Sequence, residues 1–373
     1  MPLLRHLQDR FRVAVLLPEA GDFSQTLKRE GIPLISFPSL GRRRIPALYR
    51  LIVDGGYDLV YGNNTSGSSR NALIAAKLGR VPFICHARGM LQRGQWRKYW
   101  FLRRAHAVIA ISDACAVLVR RYAGGKRLHV IPSGVDLKDI DRRESTEVEA
   151  REKGPPAGVP PGVPIVLSLA HLTPRKCQHY AVEAMARVVR DVPSAHLLLV
   201  GAERDPKYVD HIRHLISERG LAENISLLGF RRDVLPLLRA ADVFLHTAKS
   251  EAQGLVVLEA MATGLPVVAF GIDGVADSVH HENTGILCPI GDTQGLARAV
   301  TAFLRDDSLR RKFGERGRLR VTERFSSADS VARIERIIED TLASTGVAMS
   351  SLRSGDHGLA TASKVARSTD GAG

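Results

Sequence analysis

The sequence predicts an α/β fold made of two parallel-sheet domains that are joined by a linker. The chain has 373 residues, more than the ~100–200 residues of an average domain. Short apolar runs alternate with helical stretches along the chain, which is the pattern of βαβ units and of parallel sheets. Residues 141–164 interrupt this alternation with a charged run and then a Pro/Gly-rich run, which indicates a linker or a surface loop.

The alternating strands and helices before the linker predict a domain at residues 1–140. Helical stretches occur in it, for example at 24–30 and 69–78, and a glycine follows or closes each of them, as at many helix ends. Apolar runs of strand length lie before, between and after them, at 11–18, 32–37, 58–61, 83–86 and 108–111.

The second series predicts a domain at residues 165–325. Strands are expected at 165–169, 196–200, 225–228, 243–246 and 266–269, and helices at 178–189, 208–219, 234–240 and 255–262. We expect a last helix at 326–346 to return to the first domain. The tail at 347–373 is rich in Ser, Gly and Ala and lacks the apolar residues of a core, so we expect it to be disordered.

Composition excludes several classes of protein. Hydrophobic residues make up 45% and charged residues 25% of the chain, as in globular proteins. No run of ~18 apolar residues predicts a membrane-spanning helix, and the first residues lack the apolar core of a secretion signal.

The four cysteines, Cys85, Cys115, Cys177 and Cys288, have no C-x-x-C spacing. This argues against a zinc site or a disulfide framework and favours a reducing, cytoplasmic location.

Positive charge is concentrated in the first domain. The chain has a formal net charge of +14, and residues 1–135 alone hold 22 Lys and Arg against 7 Asp and Glu. A basic field on one domain predicts an anionic partner, such as a phosphorylated substrate or an anionic lipid surface. Solvated surface arginines are the alternative. We expect no nucleic acid partner, because no helix-turn-helix, zinc finger or RNP-like aromatic pattern occurs.

The segment with the clearest chemistry is SEAQGLVVLEAMATGLPVVAF, at residues 250–270. It predicts an apolar, buried helix that begins near Gly254 and contains Glu259. An ionised carboxylate in such a place must be hydrogen-bonded to persist, and the hydroxyl groups of a ligand can supply those bonds.

The start of the same helix predicts an anion site. The N–H groups near Gly254, Leu255 and Val256 have no partner within the helix and suit a phosphate. Glu251 precedes them by one short loop. This arrangement fits a sugar, a diphosphate and a nucleoside that lie across the helix start.

The segment resembles the E-x7-E motif of the retaining glycosyltransferases of family 4, with Glu251 and Glu259 as its glutamates. Further segments resemble the same family in the same order: IPSGVD at 131–136, LAHLTPRKC at 169–177, LGF at 228–230, GVADSV at 274–279 and TGILCPIGD at 284–292. The resemblance covers most of the chain. It implies the GT-B fold, in which two Rossmann-like domains face a cleft.

The resemblance also implies a role for each matching residue. Glu251 would contact hydroxyls of the transferred sugar, and Glu259 would bind the ribose of the nucleotide. Lys176 would hold the diphosphate together with the amides at the helix start, because its point charge neutralises a leaving group. Gly229 and Phe230 would lie near the base.

Two departures from the family pattern affect this site. His171 stands where members usually have an arginine in the diphosphate loop, and Arg175 could replace that arginine. Arg88 stands where many members have a histidine that reaches the donor sugar, and His86 lies two residues earlier. Alternation along a strand predicts that His86 and Arg88 lie on one face, so either could contact the sugar or a phosphate. Packing of His86 at the strand end is the alternative.

The family pattern begins with a strand and a glycine-rich loop that this sequence does not match. LLRHLQDR at 3–10 resembles the end of the helix that follows that loop, and FRVAVLLPEAG at 11–21 resembles the second strand. We therefore expect the first domain to lack its first strand, through a misassigned start codon or through a truncation with loss of activity.

The activity implied by the resemblance is transfer of a sugar from a nucleotide-sugar donor to a glycan or lipid-linked acceptor, with retention of anomeric configuration. Bacterial polysaccharide or lipopolysaccharide synthesis is the usual context. No metal or other cofactor is expected, and Asp139-Ile-Asp141 is read as a chance D-x-D in the linker.

A truncated non-catalytic binder of sugar nucleotides and a nucleotide-sugar epimerase are the alternatives to this activity. A nicotinamide dehydrogenase is disfavoured, because the G-x-G-x-x-G pattern is absent.

A basic and aromatic segment, RGQWRKYWFLRR at 93–104, predicts a membrane contact. Both tryptophans of the chain, Trp96 and Trp100, lie here with Tyr99 and Phe101. Segments of this kind bind lipid interfaces, so peripheral attachment to the inner face of the cell membrane is our hypothesis. The alternative is a helix that packs its aromatic side chains into the core.

Overall fold

The computed structural model describes residues 2–17, 21–37, 42–92, 94–125, 127–142, 159 and 162–346. It shows the predicted α/β architecture, with parallel sheets in two Rossmann-like domains. Most of the expected linker and the whole of the expected tail at 347–373 lie outside the described residues. Within the described ranges, no helix is long and apolar enough to cross a bilayer.

In the described residues of the first domain there are six short parallel strands, which are β1 Val15–Leu17, β2 Leu34–Ser36, β3 Val60–Gly62, β4 Phe83–Ala87, β5 Ala107–Ala110 and β6 Leu128–Val130. β1 pairs with β2, and β3 to β6 form a four-stranded sheet in sequence order. Among the described residues, the β1–β2 pair does not hydrogen-bond to that sheet. β1 and β2 are both shorter than the apolar runs that predict them.

Helices connect these strands, and they are α1 Pro2–Gln8, α2 Asp22–Arg29, α3 Ile45–Asp54, α4 Gly67–Leu78, α5 Trp96–Tyr99 and α6 Asp113–Ala123. α4 ends before Gly79, as the sequence predicts. α6 begins after Ser112, whose hydroxyl accepts the N–H of Cys115 at 3.0 Å. A serine in this position stabilises a helix because it satisfies one of the free N–H groups of the first turn.

The second domain has one six-stranded parallel sheet. Its strands are β7 Ile165–Leu169, β8 His196–Val200, β9 Ile225–Gly229, β10 Val243–His246, β11 Val267–Phe270 and β12 Gly285–Cys288. Their order in space is β12-β11-β10-β7-β8-β9, so the sheet grows in opposite directions from the neighbours β7 and β10. The loops that follow two such strands diverge and leave a crevice at the carboxyl edge, where ligands of open α/β sheets bind.

Helices cover the second sheet and end the described chain, and they are α7 Gln178–Asp191, α8 Pro206–Glu218, α9 Leu235–Ala240, α10 Leu255–Ala262, α11 Asp273–Ser278, α12 Thr293–Arg305, α13 Asp307–Arg324 and α14 Ser327–Ser344. Every residue of β7, β8, β10 and β11 is buried. Burial of both faces explains why these strands are mainly apolar and do not alternate between apolar and polar residues.

α14 packs against the first domain. Its residues Ile334, Ile338 and Leu342 lie in one buried cluster with Leu7 of α1 and Ile109 of β5. Burial of these apolar side chains stabilises the contact through the hydrophobic effect. The last helix of the described chain therefore ties the second domain back to the first.

Candidate functional site

Two loops of the second domain meet at the carboxyl edge of its sheet. One follows β7 and contains His171, Arg175 and Lys176, and the other follows β10 and contains Glu251. The backbone N–H of Lys249 donates to the carbonyl of Arg175 at 3.1 Å and joins the two loops. Residues that lie far apart in sequence thus form one site at the crevice between β7 and β10.

Glu251 forms ion pairs with two cations of the first loop. The Nζ of Lys176 lies 2.9 Å from each carboxylate oxygen, and the Nη1 of Arg175 lies 3.3 Å from Oε2. The Lys176 and Glu251 side chains are only 9% and 16% exposed, so water and salt screen their attraction weakly. The structure brings together three residues that the sequence analysis singled out.

The start of α10 presents backbone N–H groups to the same crevice. Gly254 has a φ of +79°, a conformation that favours glycine, and its carbonyl accepts the N–H of Val257 at 2.9 Å. The N–H groups of Leu255 and Val256 have no acceptor among the residues that the structure describes. Unpaired N–H groups and the positive end of the helix dipole favour an anion at this point.

Glu259 lies one turn inside α10 and is partly buried. Desolvation raises its pKa from 4.5 to about 7. In the described part of the chain, no group hydrogen-bonds or ion-pairs with its carboxylate, so nothing offsets this desolvation. The hydroxyl groups of a ligand would supply the missing hydrogen bonds.

His171 carries little charge at neutral pH, because burial and the neighbouring cations Arg204, Lys176 and Arg175 lower its pKa. Arg175 is therefore the better source of positive charge in this loop. Sequence reasoning missed Arg204 and Lys249. Both follow buried strands of the same sheet, and their positions after β8 and β10 are the signal that could have found them.

The end of β9 provides an aromatic surface. Gly229 has a φ of +64°, and its carbonyl accepts the N–H of Gly201 at 2.9 Å, next to the loop after β8. Phe230 follows and is 61% exposed. An exposed aromatic ring at the carboxyl edge of the sheet can stack on a nucleotide base. The positions of Gly229 and Phe230 therefore fit the base contact that the resemblance implies.

Hydrogen bonds of Ser133 and Ser112 join the loop of Glu251 to the first domain. The Oε1 of Gln253 accepts the N–H of Ser133 at 2.9 Å, and its Nε2 donates to the Ser133 carbonyl at 2.8 Å. The hydroxyl of Ser112 donates to the carbonyl of Ala252 at 2.5 Å. Sequence reasoning missed Gln253, since nothing in its neighbours indicates a partner in another domain.

Strand alternation predicts that His86 and Arg88 lie on one face, but the structure places them in different environments. His86 is buried and Arg88 is exposed. β4 ends at Ala87, so Arg88 lies beyond the strand, where alternation no longer applies. His86 is buried, and its Nδ1 lies 2.7 Å from the hydroxyl of Tyr61. Burial lowers its pKa to about 3. Arg88 is exposed and donates to the Ser133 hydroxyl at 3.1 Å, which brings it beside the residue that binds Gln253.

Candidate metal ligands do not cluster in the described residues: no group of three or more His, Cys, Asp or Glu side chains could hold an ion there. The two carboxylates of the D-x-D sequence bind arginines instead. Asp139 lies 2.6 Å from Arg142, and Asp141 lies 2.6 Å from Arg318.

The basic and aromatic segment divides between core and surface. Tyr99 and Phe101 are buried in the first domain. Trp96 and Trp100, one helical turn apart, are 64% and 38% exposed. Tyr99 and Phe101 thus pack into the core, as the alternative predicts, whereas Trp96 and Trp100 lie on the surface.

Two family models match consecutive parts of the chain. The model described as Glycosyltransferase Family 4 matches residues 2–139. The model described as Glycosyl transferases group 1 matches residues 150–320, which include the crevice and α10.

Curated relatives match parts of the chain. The N-acetyl-alpha-D-glucosaminyl L-malate synthase of Bacillus anthracis is 31% identical over 58% of this chain and 55% of its own length. The lipopolysaccharide core biosynthesis glycosyltransferase LpsE of Rhizobium meliloti is 33% identical over 45% of this chain and 47% of its own length. The chain thus spans about half the length of these relatives.

Solved structures match nearly the whole described chain. HepE of Anabaena, solved in complex with UDP-glucose, has a TM-score of 0.77 and 25% identity, and the match covers 91% of this chain and 94% of that one. A glycosyltransferase from Rickettsia africae has a TM-score of 0.81 at 20% identity, over 91% of this chain and 93% of that one. The two family models together match most of the chain, and the chain belongs to the family 4 glycosyltransferases, which have the GT-B fold.

Proposed function

We propose that this chain transfers a sugar from a nucleotide-sugar donor to a glycan or lipid-linked acceptor and retains the anomeric configuration. The observation that carries the proposal is the grouping of Lys176, Arg175 and Glu251 with the start of α10 and an unsatisfied Glu259. Cations and free N–H groups suit a diphosphate, and carboxylates suit the hydroxyl groups on either side of it. Membership of a family of retaining transferases supports retention.

The donor extends across the crevice in this proposal. Its diphosphate binds Lys176, Arg175 and the N–H groups of Leu255 and Val256. Its ribose hydroxyls donate to Glu259, and its base lies against the ring that follows β9. The diphosphate supplies acceptors for the two free N–H groups and competes with Glu251 for the two cations. The ribose supplies donors for the carboxylate of Glu259, and the base covers an exposed ring.

The reaction breaks the bond between the anomeric carbon and a phosphate oxygen. The acceptor oxygen bonds to that carbon on the same face, and its proton passes to the departing phosphate oxygen. Lys176 and Arg175 stabilise the negative charge that develops on the diphosphate, so we expect no requirement for a metal. Glu251 orients the hydroxyls of the sugar, and Arg88 approaches from the first domain to contact the sugar or a phosphate.

The donor is identified by a thermal-shift panel of UDP-, GDP- and ADP-sugars, followed by NMR analysis of the product's anomeric configuration. One nucleotide series should raise the melting temperature, and its sugar should appear in the product with the α or β configuration of the donor. An inverted product contradicts retention. No shift with any nucleotide sugar contradicts the proposed function.

We further propose that the first domain binds the acceptor and works at the inner, cytoplasmic face of a bacterial membrane, in polysaccharide or lipopolysaccharide synthesis. The exposed Trp96 and Trp100 lie beside Arg97 and Lys98, a composition that binds anionic lipid interfaces.

A further relative supports a lipid-linked acceptor. It is the E. coli UDP-Gal:alpha-D-GlcNAc-diphosphoundecaprenol alpha-1,3-galactosyltransferase, 22% identical over 89% of this chain and 90% of its own length.

A further inference from the structure

The cations that the proposed function assigns to the diphosphate already hold a carboxylate of the chain itself. Lys176 contacts both oxygens of Glu251 at 2.9 Å, and Arg175 contacts one of them. Arg175 also donates to the carbonyl of Ser250 at 3.1 Å, which orients its guanidinium group toward this loop. Glu251 thus neutralises one of the two positive charges that the proposed function assigns to the diphosphate.

The backbone around Glu251 is firmly held, so a change of partner must come from its side chain. The Glu251 carbonyl accepts the N–H of Gly274 at 3.0 Å. A Cβ atom at Gly274 would lie 2.1 Å from the Ala252 carbonyl oxygen, which shows how closely the two segments pack. Gln253 then binds both backbone groups of Ser133. The carboxylate can rotate about its own side-chain bonds while the loop stays in place.

A diphosphate and the Glu251 carboxylate compete for Lys176 and Arg175. Both are anions, and their repulsion is strong at a site where the lysine side chain is largely buried. A bound diphosphate therefore displaces the carboxylate. The displaced carboxylate needs new hydrogen-bond donors, because an unpaired charge in a partly buried position is costly.

The nucleotide sugar and the nucleoside diphosphate differ in the hydrogen-bond donors that they offer the displaced carboxylate. A nucleotide sugar carries sugar hydroxyls beyond the diphosphate, and these can donate to it. A nucleoside diphosphate has no such groups at that end. The cost of displacing Glu251 is thus offset only when the sugar is present.

We propose that Glu251 discriminates between the nucleotide-sugar donor and the nucleoside diphosphate product. While the sugar is attached, its hydroxyls hold the carboxylate away from Lys176 and Arg175. Once the sugar has been transferred, the carboxylate returns to these cations and weakens the hold on the product. This inference rests on the proposed function and gives Glu251 a part in product release in addition to its contact with the sugar.

The test is isothermal titration calorimetry without acceptor, using UDP, GDP and ADP and then the matching sugar nucleotide. In Glu251→Gln, which preserves shape and removes the charge, the dissociation constant of the nucleoside diphosphate should fall about fivefold, because the competing ion pair is lost. The dissociation constant of the sugar nucleotide should stay equal or rise, because a neutral amide accepts weaker hydrogen bonds. The preference for the sugar nucleotide should therefore shrink by at least that factor.

Two further variants separate this effect from general electrostatics. Glu203→Gln removes one negative charge from the neighbouring loop, where Glu203 pairs with Arg213 at 3.0 Å, and should leave the preference unchanged. Lys176→Met should weaken both ligands by similar factors. A dissociation constant of the nucleoside diphosphate that does not fall in Glu251→Gln, or an unchanged preference, overturns the inference while leaving the proposed function standing. A wild-type chain that binds none of these nucleotides overturns both.

Discussion

Gln253 and Ser133 exchange two hydrogen bonds across the boundary between the domains. The carboxamide of Gln253 accepts the Ser133 N–H at 2.9 Å and donates to its carbonyl at 2.8 Å. Gln253 is buried and lies two residues after Glu251. The same Ser133 accepts a hydrogen bond from Arg88 on its hydroxyl. This contact fixes the loop of Glu251 relative to the first domain.

Replacement of this glutamine tests the contact between the domains. Gln253→Met keeps the volume but leaves both backbone groups of Ser133 unpaired, which costs about 1–3 kcal/mol of unfolding free energy. We expect a lower melting temperature and a larger fall in kcat than in donor KM, since the loop loses its position relative to Arg88. Ser330→Ala is the matched control. It removes a hydrogen bond to the adjacent Pro132 carbonyl at 2.7 Å but does not touch the loop, and equal kcat losses in both variants would contradict this role.

Lys176 carries the central charge of the proposed diphosphate site. Lys176→Met should weaken sugar-nucleotide binding at least tenfold, because charge-assisted hydrogen bonds contribute about 1.5–3 kcal/mol. Calorimetry with the donor found by thermal shift measures this loss. Lys207→Met, which changes an exposed lysine in the first turn of α8, shows how much of it comes from general attraction. A Lys176→Met variant with unchanged affinity would remove this residue from the site.

The raised pKa of Glu259 predicts that the free energy of unfolding depends on pH. Its pKa is raised from 4.5 to about 7, so the folded chain binds this proton more tightly than the unfolded chain does. The stabilisation that the protonated carboxyl contributes is therefore lost as pH rises from 4.5 through about 7. Glu259→Gln should raise the unfolding free energy by about 1–3 kcal/mol at about pH 8 and by little at about pH 4.5.

Denaturant unfolding of both proteins at the two pH values measures this difference. Glu282→Gln, at an exposed glutamate, is the control for the loss of one carboxylate. A Glu259→Gln variant that is less stable than the wild type at about pH 8 would show that the folded chain already provides partners for the ionised carboxylate.

The exposed tryptophans predict binding to anionic membranes. The double variant Trp96→Ser with Trp100→Ser should lower the fraction of protein that sediments with anionic liposomes, because the side chains that enter the interface are lost. Neutral liposomes should retain little protein in either case, since the basic residues then have no partner. Leu78→Ser, at an exposed leucine elsewhere on the first domain, is the control. Equal sedimentation with anionic and neutral liposomes would refute the attachment.

The sequence predicts the second domain more fully than the first. Four strands of its sheet, β7, β8, β10 and β11, are buried on both faces and are mainly apolar. The predicted strands at 165–169, 196–200 and 243–246 therefore match β7, β8 and β10 in their bounds. In the first domain, β1 occupies only part of the run at 11–18, because an apolar run does not show how much of it pairs with a neighbour.

The sequence predicts the features of the site that lie within one segment, but not the contacts between segments that are distant in sequence. The helix start and its two glutamates follow from the pattern of one segment. The pairing of Glu251 with Lys176 depends on the order of strands in the sheet, which adjoining residues do not encode. The partner of Gln253 depends on how the domains pack, and the separation of His86 from Arg88 depends on where β4 ends.

The central claim is that a nucleotide sugar binds across the start of α10 between the two glutamates. A crystal structure of the chain with the nucleoside diphosphate found by thermal shift tests it most directly. We expect phosphate oxygens within hydrogen-bonding distance of the Leu255 and Val256 N–H groups and of Lys176, with the ribose hydroxyls on Glu259. A nucleotide bound elsewhere, or one whose ribose points away from Glu259, would contradict the account.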